Sequence, residues 1–300
     1  MSKDLAASVK ARLMKISKKE ARAFNTISLL YMQERLLYRL SLSKYKNRFI
    51  LKGGLLLFSM NNFKGRPTRD IDFLADDISN ELENIRETFI GICGIQCDDG
   101  ITYDIDGITV ERIKEDAEYE GVRVKLKSFL GKASETVQID IGFGDIVIPN
   151  PVEMTFPTLL ESEMPQIMAY SKESIIAEKF QAMVSLNVYN SRMKDFYDIY
   201  DMITKDEFEY NNLVNAIKET FSKRKTDINI YSSIFTSEFI NNTERNRMWN
   251  NFLKRIGVTK KLVYSDVMGI LDKFLSPVCK GIIDNKVQNS IWDYNNLEWK

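Results

Sequence analysis

Residues 49–74 read FILKGGLLLFSMNNFKGRPTRDIDFL, and this stretch decides the fold. An apolar strand pattern from Phe49 to Leu51 is followed by the paired glycines Gly53 and Gly54 and by a leucine run that predicts a helix. The segment from Asp70 to Leu74 predicts a second strand. A glycine turn between a strand and a helix exposes backbone N–H groups and the positive end of the helix dipole, which favour phosphate.

Two aspartates lie on the second predicted strand. Asp70 and Asp72 are two residues apart, so their carboxylates point to one face, roughly 6–7 Å apart along the strand. Carboxylates this close repel each other unless a cation lies between them. With a pair of Mg²⁺ ions, one activates an attacking oxygen while the other holds a triphosphate and its leaving group. Two surface aspartates on a strand edge are the alternative interpretation.

A third carboxylate, Asp140, lies between two isoleucines in a later strand pattern. A charge in that position is costly unless it is paired or bound to metal, although it also fits the polar side of an amphipathic strand. The order of a glycine turn, a D-x-D strand and a later carboxylate resembles the pattern of the superfamily typified by polymerase β. The resemblance implies that Gly53 and Gly54 approach a triphosphate. It also implies that Asp70, Asp72 and Asp140 bind metal and that Asp140 assists deprotonation of an acceptor hydroxyl.

Four stretches, with the strand of Asp140, span from about residue 49 to 204: FILKGGLLL, RPTRDIDFL, ESIIAEKFQAM and SRMKDFYDIYDM. Together they resemble a narrower group, the AbiEii-type nucleotidyltransferase toxins, which include the MenT toxins of mycobacteria. In that family the two helical motifs contribute a lysine and an acid to the active site. The matching residues here are Lys179, with Asp195 and Asp198 as candidates for the acid. A solvated helix face with ordinary ion pairs is the alternative interpretation.

Further basic residues are candidates for contacts with phosphate. Lys52 and Arg69 flank the glycines and the first aspartates, and Arg192 is the second residue of the motif SRMKDFYDIYDM. The basic segments SKRK at 222–225 and Lys260-Lys261 suggest a track for RNA, although short charge runs are usually solvated.

The composition narrows the possible chemistry. The chain has 300 residues, with 42 lysines and arginines, 42 aspartates and glutamates, and no histidine. The lack of histidine excludes Ser-His catalysis, His₃ zinc sites and HExxH chemistry, so any metal is expected to be a hard ion held by oxygen. The neutral total argues against coating of nucleic acid by charge alone. The cysteines are expected to be buried or incidental thiols, and a soluble cytoplasmic protein without a membrane segment is predicted.

The order of patterns predicts an α+β fold with two domains. Residues 1–160 are predicted to form a polymerase-β-like nucleotidyltransferase domain with a mixed sheet, preceded by helices. Residues 161–300 are predicted to form a mainly helical domain that contributes to the active site and to RNA binding. A proline cluster from Pro149 to Pro165 is interpreted as the connection, with strand signals mostly ending near residue 160.

The family resemblance implies a toxin of a bacterial toxin–antitoxin or abortive-infection (phage defence) system. Such an enzyme uses Mg²⁺, with Mn²⁺ as an alternative, to move a nucleoside monophosphate from an NTP to RNA, with tRNA at its 3′ acceptor end implied. A partner antitoxin is implied, whether or not it binds the toxin directly. Two alternatives stay open: a transferase acting on a small molecule, as in antibiotic nucleotidyltransferases, and a non-catalytic NTP-binding regulator with the same fold.

Overall fold

The computed structural model describes residues 3–116 and 119–300 of the chain. Two units are distinguished: the first comprises Met1–Gly144 and Pro151–Tyr170, and the second comprises Asp145–Asn150 and Ser171–Lys300. The chain therefore changes unit at residues 144/145, 150/151 and 170/171. No helix within the described ranges combines the length and the apolar character that crossing a membrane requires.

The first unit contains four helices and eight strands among its described residues. The helices are α1 (Lys3–Lys19), α2 (Phe24–Leu42), α3 (Gly53–Met60) and α4 (Leu82–Cys93). The strands are β1 (Phe49–Lys52), β2 (Asp70–Ala75), β3 (Ile101–Tyr103), β4 (Thr109–Asp116), β5 (Tyr119–Leu130), β6 (Ala133–Phe143), β7 (Val152–Thr155) and β8 (Gln166–Ala169).

These strands form one mixed sheet in the order β3-β5-β6-β2-β1-β8-β7, and β4 also pairs with β5. β2 runs parallel to β6 and β1 parallel to β8, while the other neighbours are antiparallel. The predicted α+β fold with a mixed sheet is confirmed. The interpretation of the proline cluster as a plain connection is wrong, because β7 lies within it and leads to β8, which supplies the parallel neighbour of β1.

The two faces of this sheet differ in character because side chains alternate along each strand. Ile71, Val124 and Ile139 lie side by side on one face and are fully buried. The helices α1, α2 and α4 pack against strands of the sheet. Asp72, Asp140 and Arg123 lie side by side in the next row and so belong to the opposite face. The sheet thus separates an apolar core from a row of ionised side chains.

The second unit is mainly helical, as predicted. Its helices are α5 (Lys172–Leu186), α6 (Met193–Ile203), α7 (Tyr210–Lys223), α8 (Ser237–Ile240), α9 (Thr243–Arg255) and α10 (Tyr264–Ile283). A small antiparallel sheet joins β9 (Phe208–Glu209), β10 (Ile291–Asp293) and β11 (Glu298–Trp299). Strands of two or three residues are too short to show alternation, so the sequence did not predict them.

Two tryptophans attach the end of the chain to the helices of the second unit. The indole N–H of Trp292, which is fully buried, donates to the carbonyl of Ile203 at 2.7 Å. That of Trp299 donates to the carbonyl of Phe274 at 3.0 Å, and its ring stacks on the Phe274 ring with centroids 5.4 Å apart. The last residues therefore link the end of α6 to the middle of α10.

The cysteines are free thiols, and two of the three are buried. Burial raises the pKa of the Cys93 thiol to about 12, so this sulfur stays protonated and unreactive at neutral pH. Cys279 is fully buried in α10, and Cys97 is half-buried. These environments agree with the expectation of structural or incidental thiols.

Candidate active site

The turn between β1 and α3 is built from two glycines that lie directly against a carboxylate. Gly53 has a φ of +67°, and a Cβ added to it would lie 2.0 Å from Oδ2 of Asp72. A Cβ on Gly54 would lie 2.9 Å from the hydroxyl of Thr68, and the Gly54 N–H donates to Oδ2 of Asp72 at 3.3 Å. Only glycine therefore allows the turn and the carboxylate to approach this closely. The Gly54 N–H, expected to face a phosphate, is aimed here at Asp72.

Replacing Gly53 with alanine should reduce both stability and the nucleotide transfer that the sequence predicts. The side chain would meet Asp72 in a backbone region that L-residues seldom adopt. Since a displacement of about 1 Å at a reacting group can cost about 100-fold in rate, we expect a loss of that order in labelled-nucleotide transfer.

Gly91→Ala is the matched control for Gly53→Ala. Gly91 lies inside α4, and a Cβ there meets nothing within 4 Å. We expect that variant to gain about 0.5–1 kcal/mol of stability and to keep its activity. Full activity in Gly53→Ala would show that the turn tolerates a side chain and does not position Asp72.

Three aspartates converge next to the glycine turn. Asp72 on β2 and Asp140 on β6 are register partners on adjacent parallel strands, and Asp70 lies on the same face of β2. One carboxylate oxygen from each lies within 4.8 Å of the others. Asp140 is 8% exposed, and Asp70 and Asp72 are partly exposed. The structure thus brings together the three carboxylates singled out in the sequence.

The electrostatics of this cluster show that nearby cations do not balance the negative charge around Asp72. Burial, and next the neighbouring charge of Asp70, raise the pKa of Asp72 to about 6, and Asp140 adds to the shift. Lys52, the register partner of Asp72 on β1, lowers that pKa but does not offset the increase. Clustered carboxylate oxygens are the ligands that Mg²⁺ and Mn²⁺ prefer. The donor set and its unbalanced charge therefore fit a divalent cation.

Asp140 has an ionic partner that the sequence did not reveal. The Nε–H of Arg123, on β5, donates to Oδ1 of Asp140 at 2.7 Å, and a terminal N–H of the same guanidinium donates to Oδ2 at 2.7 Å. The amide of Gln138 lies beside both groups, and with its oxygen turned to Arg123 it accepts from Nε at 3.1 Å. A bidentate pair of this kind fixes the orientation of the carboxylate. The alternation in GVRVKL could have placed Arg123 on the polar face, but not opposite Asp140.

The predicted phosphate contacts near the turn lie in different environments. Lys52 is only 6% exposed, and its ammonium lies 5.4 Å from the centroid of the Tyr170 ring. Arg69 is exposed. The hydroxyl of Thr68 donates to Oδ1 of Asp70 and holds that carboxylate from the loop before β2. Phosphate binding by Lys52 and Arg69 stays a prediction.

The second unit contains a buried ionic network around Lys179. The Lys179 ammonium lies 3.1 Å from Oδ1 of Asp195 and 2.7 Å from Oδ2 of Asp198. Nε of Arg192 lies 2.9 Å from Oδ2 of Asp195, an ion pair without hydrogen-bond geometry. Asp195 is fully buried and Asp198 is 6% exposed. The alternative of a solvated helix face is therefore wrong for these residues.

The shifts in pKa within this network favour the charged forms of Lys179 and Asp195. Burial alone would lower the pKa of Lys179, but Asp198 and Asp195 together outweigh it and the pKa is raised. For Asp195, burial would raise the pKa, but Lys179 and Arg192 outweigh it and the pKa is lowered. The apolar residues Ile176, Phe180 and Met183, on the same helix as Lys179, are fully buried.

One cation of the basic segment at 222–225 is not available to RNA. Its Arg224 lies 2.9 Å from Asp145 and 3.2 Å from Glu178, all within the second unit. Only 11% of the Arg224 side chain is exposed. This arginine therefore stabilises the unit, and the suggestion that it lines a nucleic-acid surface is wrong.

Comparisons with known proteins identify the family of the chain. Residues 35–273 match the family described as nucleotidyl transferase AbiEii toxin, type IV toxin–antitoxin system. Among solved structures, the chain is similar to JHP933 from Helicobacter pylori at 14% identity and a TM-score of 0.44, covering 88% of this chain and 95% of that one. A candidate nucleotidyltransferase from H. pylori aligns at 14% identity and a TM-score of 0.42, over 89% and 98%. No curated protein matches significantly by sequence.

Proposed function

The chain belongs to the AbiEii family of nucleotidyltransferase toxins of type IV toxin–antitoxin systems, and from this premise we propose that it transfers a nucleoside monophosphate from an NTP to the 3′ end of tRNA with Mg²⁺. Enzymes of this class act on an NTP with a divalent metal ion. The observation that supports the proposal best is the group of Asp70, Asp72 and Asp140, whose oxygens lie within 4.8 Å of one another beside the glycine turn.

The reaction is an in-line displacement at the α-phosphorus. A bond forms between the acceptor hydroxyl oxygen and the α-phosphorus, the bond from that phosphorus to the bridging oxygen breaks, and pyrophosphate leaves. Asp70, Asp72 and Asp140 would hold Mg²⁺, which when bound neutralises phosphate charge and makes the acceptor hydroxyl more acidic. Asp140 would assist removal of the hydroxyl proton, which passes to solvent. Catalysis then depends mainly on positioning and charge.

Several side chains keep these groups in place. Arg123 holds Asp140 in one orientation through its two hydrogen bonds. Gly53 lets Asp72 approach the turn, and Thr68 anchors Asp70. Roles in catalysis for Lys179, Asp195, Asp198 and Arg192 stay predictions that variants can test.

The proposed biological outcome is growth arrest. A nucleotide added to the acceptor end of tRNA prevents aminoacylation and so blocks translation. An antitoxin made alongside would neutralise this effect, and release of the toxin during infection would limit phage. We place the protein in the cytoplasm, because its proposed acceptor is there.

Transfer can be tested with the purified full-length chain, Mg²⁺, each α-³²P-labelled NTP separately and total tRNA. We expect labelled tRNA on a denaturing gel with at least one NTP, and no label in the presence of EDTA. A parallel reaction replaces tRNA with aminoglycosides. Label on the small molecule instead of the RNA would assign the alternative acceptor, and NTP binding without turnover on any acceptor would assign a regulator.

A further inference from the structure

Strand β5 carries a row of cations that begins at the candidate metal site. Arg123 pairs with Asp140, and the alternate residues Lys125, Lys127 and Phe129 lie on the same face of the sheet. The intervening Val124 and Leu126 are fully buried on the other face. Lys127 is exposed, while Lys125 and Phe129 are partly exposed. We call Arg123, Lys125, Lys127 and Phe129 the β5 row.

Beyond Asp140, which pairs with Arg123, the partners of the β5 row on the neighbouring strand carry no charge. Gln138 pairs with Lys125, Thr136 with Lys127 and Ser134 with Phe129, all on β6. These side chains leave the charge of the lysines unopposed from that side. They also offer hydrogen bonds to a polar ligand.

The charges around the β5 row change sign along it. Three carboxylates lie at one end, where the proposed metal would neutralise them, and cations follow. Lys125 pairs with Glu111 of β4 at 2.8 Å, an exposed ion pair that contributes little and exchanges readily. Lys127 has no ion-pair partner among the residues that the structure describes, and its ammonium lies 5.4 Å from the centroid of the Phe129 ring. A cation and an aromatic ring are therefore available together at the far end.

The spacing of the row fits an extended polynucleotide. Alternate residues on a strand are about 7 Å apart, so Arg123 and Phe129 are separated by about 20 Å. Cations at that interval match successive phosphates of an extended single strand. The row is one cation wide, and its aromatic ring lies at the level of the sheet, where only an unstacked base can reach it. In a double helix the bases are stacked on one another and cannot reach the Phe129 ring.

We propose that the β5 row binds the single-stranded 3′ end of the RNA acceptor, an assignment that rests on the proposed transferase function. The terminal hydroxyl lies at Asp70, Asp72 and Asp140, the preceding phosphates lie over Lys125 and Lys127, and a base stacks on Phe129. The recognition is by backbone charge and stacking, so it extends to any unpaired 3′ end. Duplex RNA without an overhang is excluded.

Binding is measured by fluorescence anisotropy with a 5′-fluorescein-labelled RNA of eight nucleotides, at constant Mg²⁺ and without NTP, over a range of KCl concentrations. Each phosphate contact in a single strand contributes about 0.7 to the slope of log K against log salt. We expect Lys127→Gln to reduce the slope by about 0.7 and the double variant Lys125→Gln/Lys127→Gln by about 1.4. Lys127→Arg should keep the wild-type slope. Phe129→Leu should weaken binding about tenfold with the slope unchanged.

Arg112→Gln is the matched control. Arg112 is an exposed cation on β4 whose register partner is Val122, so it lies on the opposite face of the sheet. We expect its slope and affinity to equal those of the wild type. Circular dichroism melts check that every variant is folded.

The outcomes separate RNA binding by the β5 row from the transferase function, because the binding assay contains no NTP. The proposal for the β5 row is overturned if both lysine variants keep the wild-type slope. It is also overturned if a blunt duplex binds more tightly than the single strand. Either result would count even if tRNA is labelled in the transfer assay. Reduced slopes together with no labelling of any acceptor would support RNA binding by the β5 row and count against the proposed transferase function.

Discussion

Replacing Asp72 with asparagine should abolish nucleotide transfer and, in the absence of metal, stabilise the protein at neutral pH. The neutral amide cannot supply the negative charge that a divalent ion requires, and we expect transfer to fall by at least about 1,000-fold, a loss typical of removing a principal charge-stabilising group. The same change removes a carboxylate that is held partly buried beside Asp70 and Asp140. Function and stability therefore respond in opposite directions.

The stability effect should depend on pH in a defined sense. The pKa of Asp72 is about 6 in the folded chain and about 3.9 in an unfolded one. Between these values the folded state binds the proton more tightly, so this group's stabilising contribution is fully present below about pH 4 and is lost as the pH rises through about 6. An asparagine side chain does not ionise, so the variant lacks this loss. The variant should melt above the wild type at pH 7–8, and the two melting temperatures should converge near pH 4.

Differential scanning fluorimetry in EDTA across this pH range measures the difference. Asp76→Asn, at an exposed aspartate just after β2, is the matched control and should show no such pH-dependent gain. Adding Mg²⁺ should raise the melting temperature of the wild type but not of Asp72→Asn, because only a bound ligand stabilises the fold. A variant that is unfolded, or less stable than the wild type in EDTA at pH 8, would contradict the view that these carboxylates repel one another.

Replacing Lys179 with methionine should cause a large loss of stability. The change leaves Asp195 and Asp198 buried with one fewer cation, and breaking a buried pair in this way typically costs about 3–5 kcal/mol. Arg192, whose side chain is 40% exposed, still pairs with Asp195 and compensates in part. Urea denaturation followed by circular dichroism measures the change in the free energy of unfolding.

A triple variant separates a structural role for Lys179 from a catalytic one. In Lys179→Met/Asp195→Asn/Asp198→Asn the buried charges are removed together, and most of the lost stability should return. If Lys179 takes part in transfer, as the family resemblance implies, the refolded triple variant stays inactive. Recovery of transfer along with the fold would assign the network to stability alone.

An exposed ion pair at the end of α6 provides the control. Nζ of Lys205 lies 2.7 Å from Oδ1 of Asp201, and the Lys205 side chain is 51% exposed. Lys205→Met should change the free energy of unfolding by less than about 0.5 kcal/mol. A Lys179→Met protein that unfolds at the same urea concentration as this control would show that the network contributes nothing.

The parts of the site that the sequence predicted are those set by local patterns. Asp70 and Asp72 share a face because side chains alternate along a strand, and the paired glycines predict a turn. Neither feature depends on residues far away in the chain. Arg123 was missed because its contact with Asp140 depends on the register between β5 and β6, which neither strand encodes alone. The family resemblance placed Lys179 near an acid, whereas the burial of the whole network follows from the packing of α5 and α6.

The fold was predictable to a similar extent. The strand pattern from Phe49, the leucine run after Gly54 and the strand pattern from Asp70 predicted elements that the structure contains as β1, α3 and β2. Strand β8 was missed because it has four residues and follows a proline cluster, where local signals favour a loop. Its position depends on parallel pairing with β1, more than a hundred residues earlier in the chain.

That late pairing affects when a newly made chain becomes active. The glycine turn and Asp70, Asp72 and Asp140 leave the ribosome before Gln166–Ala169, the strand that completes the pairing of β1. A nascent chain, or a product of premature termination before this strand, therefore carries every candidate metal ligand on an unfinished sheet. A protein proposed to disable translation would thus lack a complete catalytic framework until Gln166–Ala169 has left the ribosome.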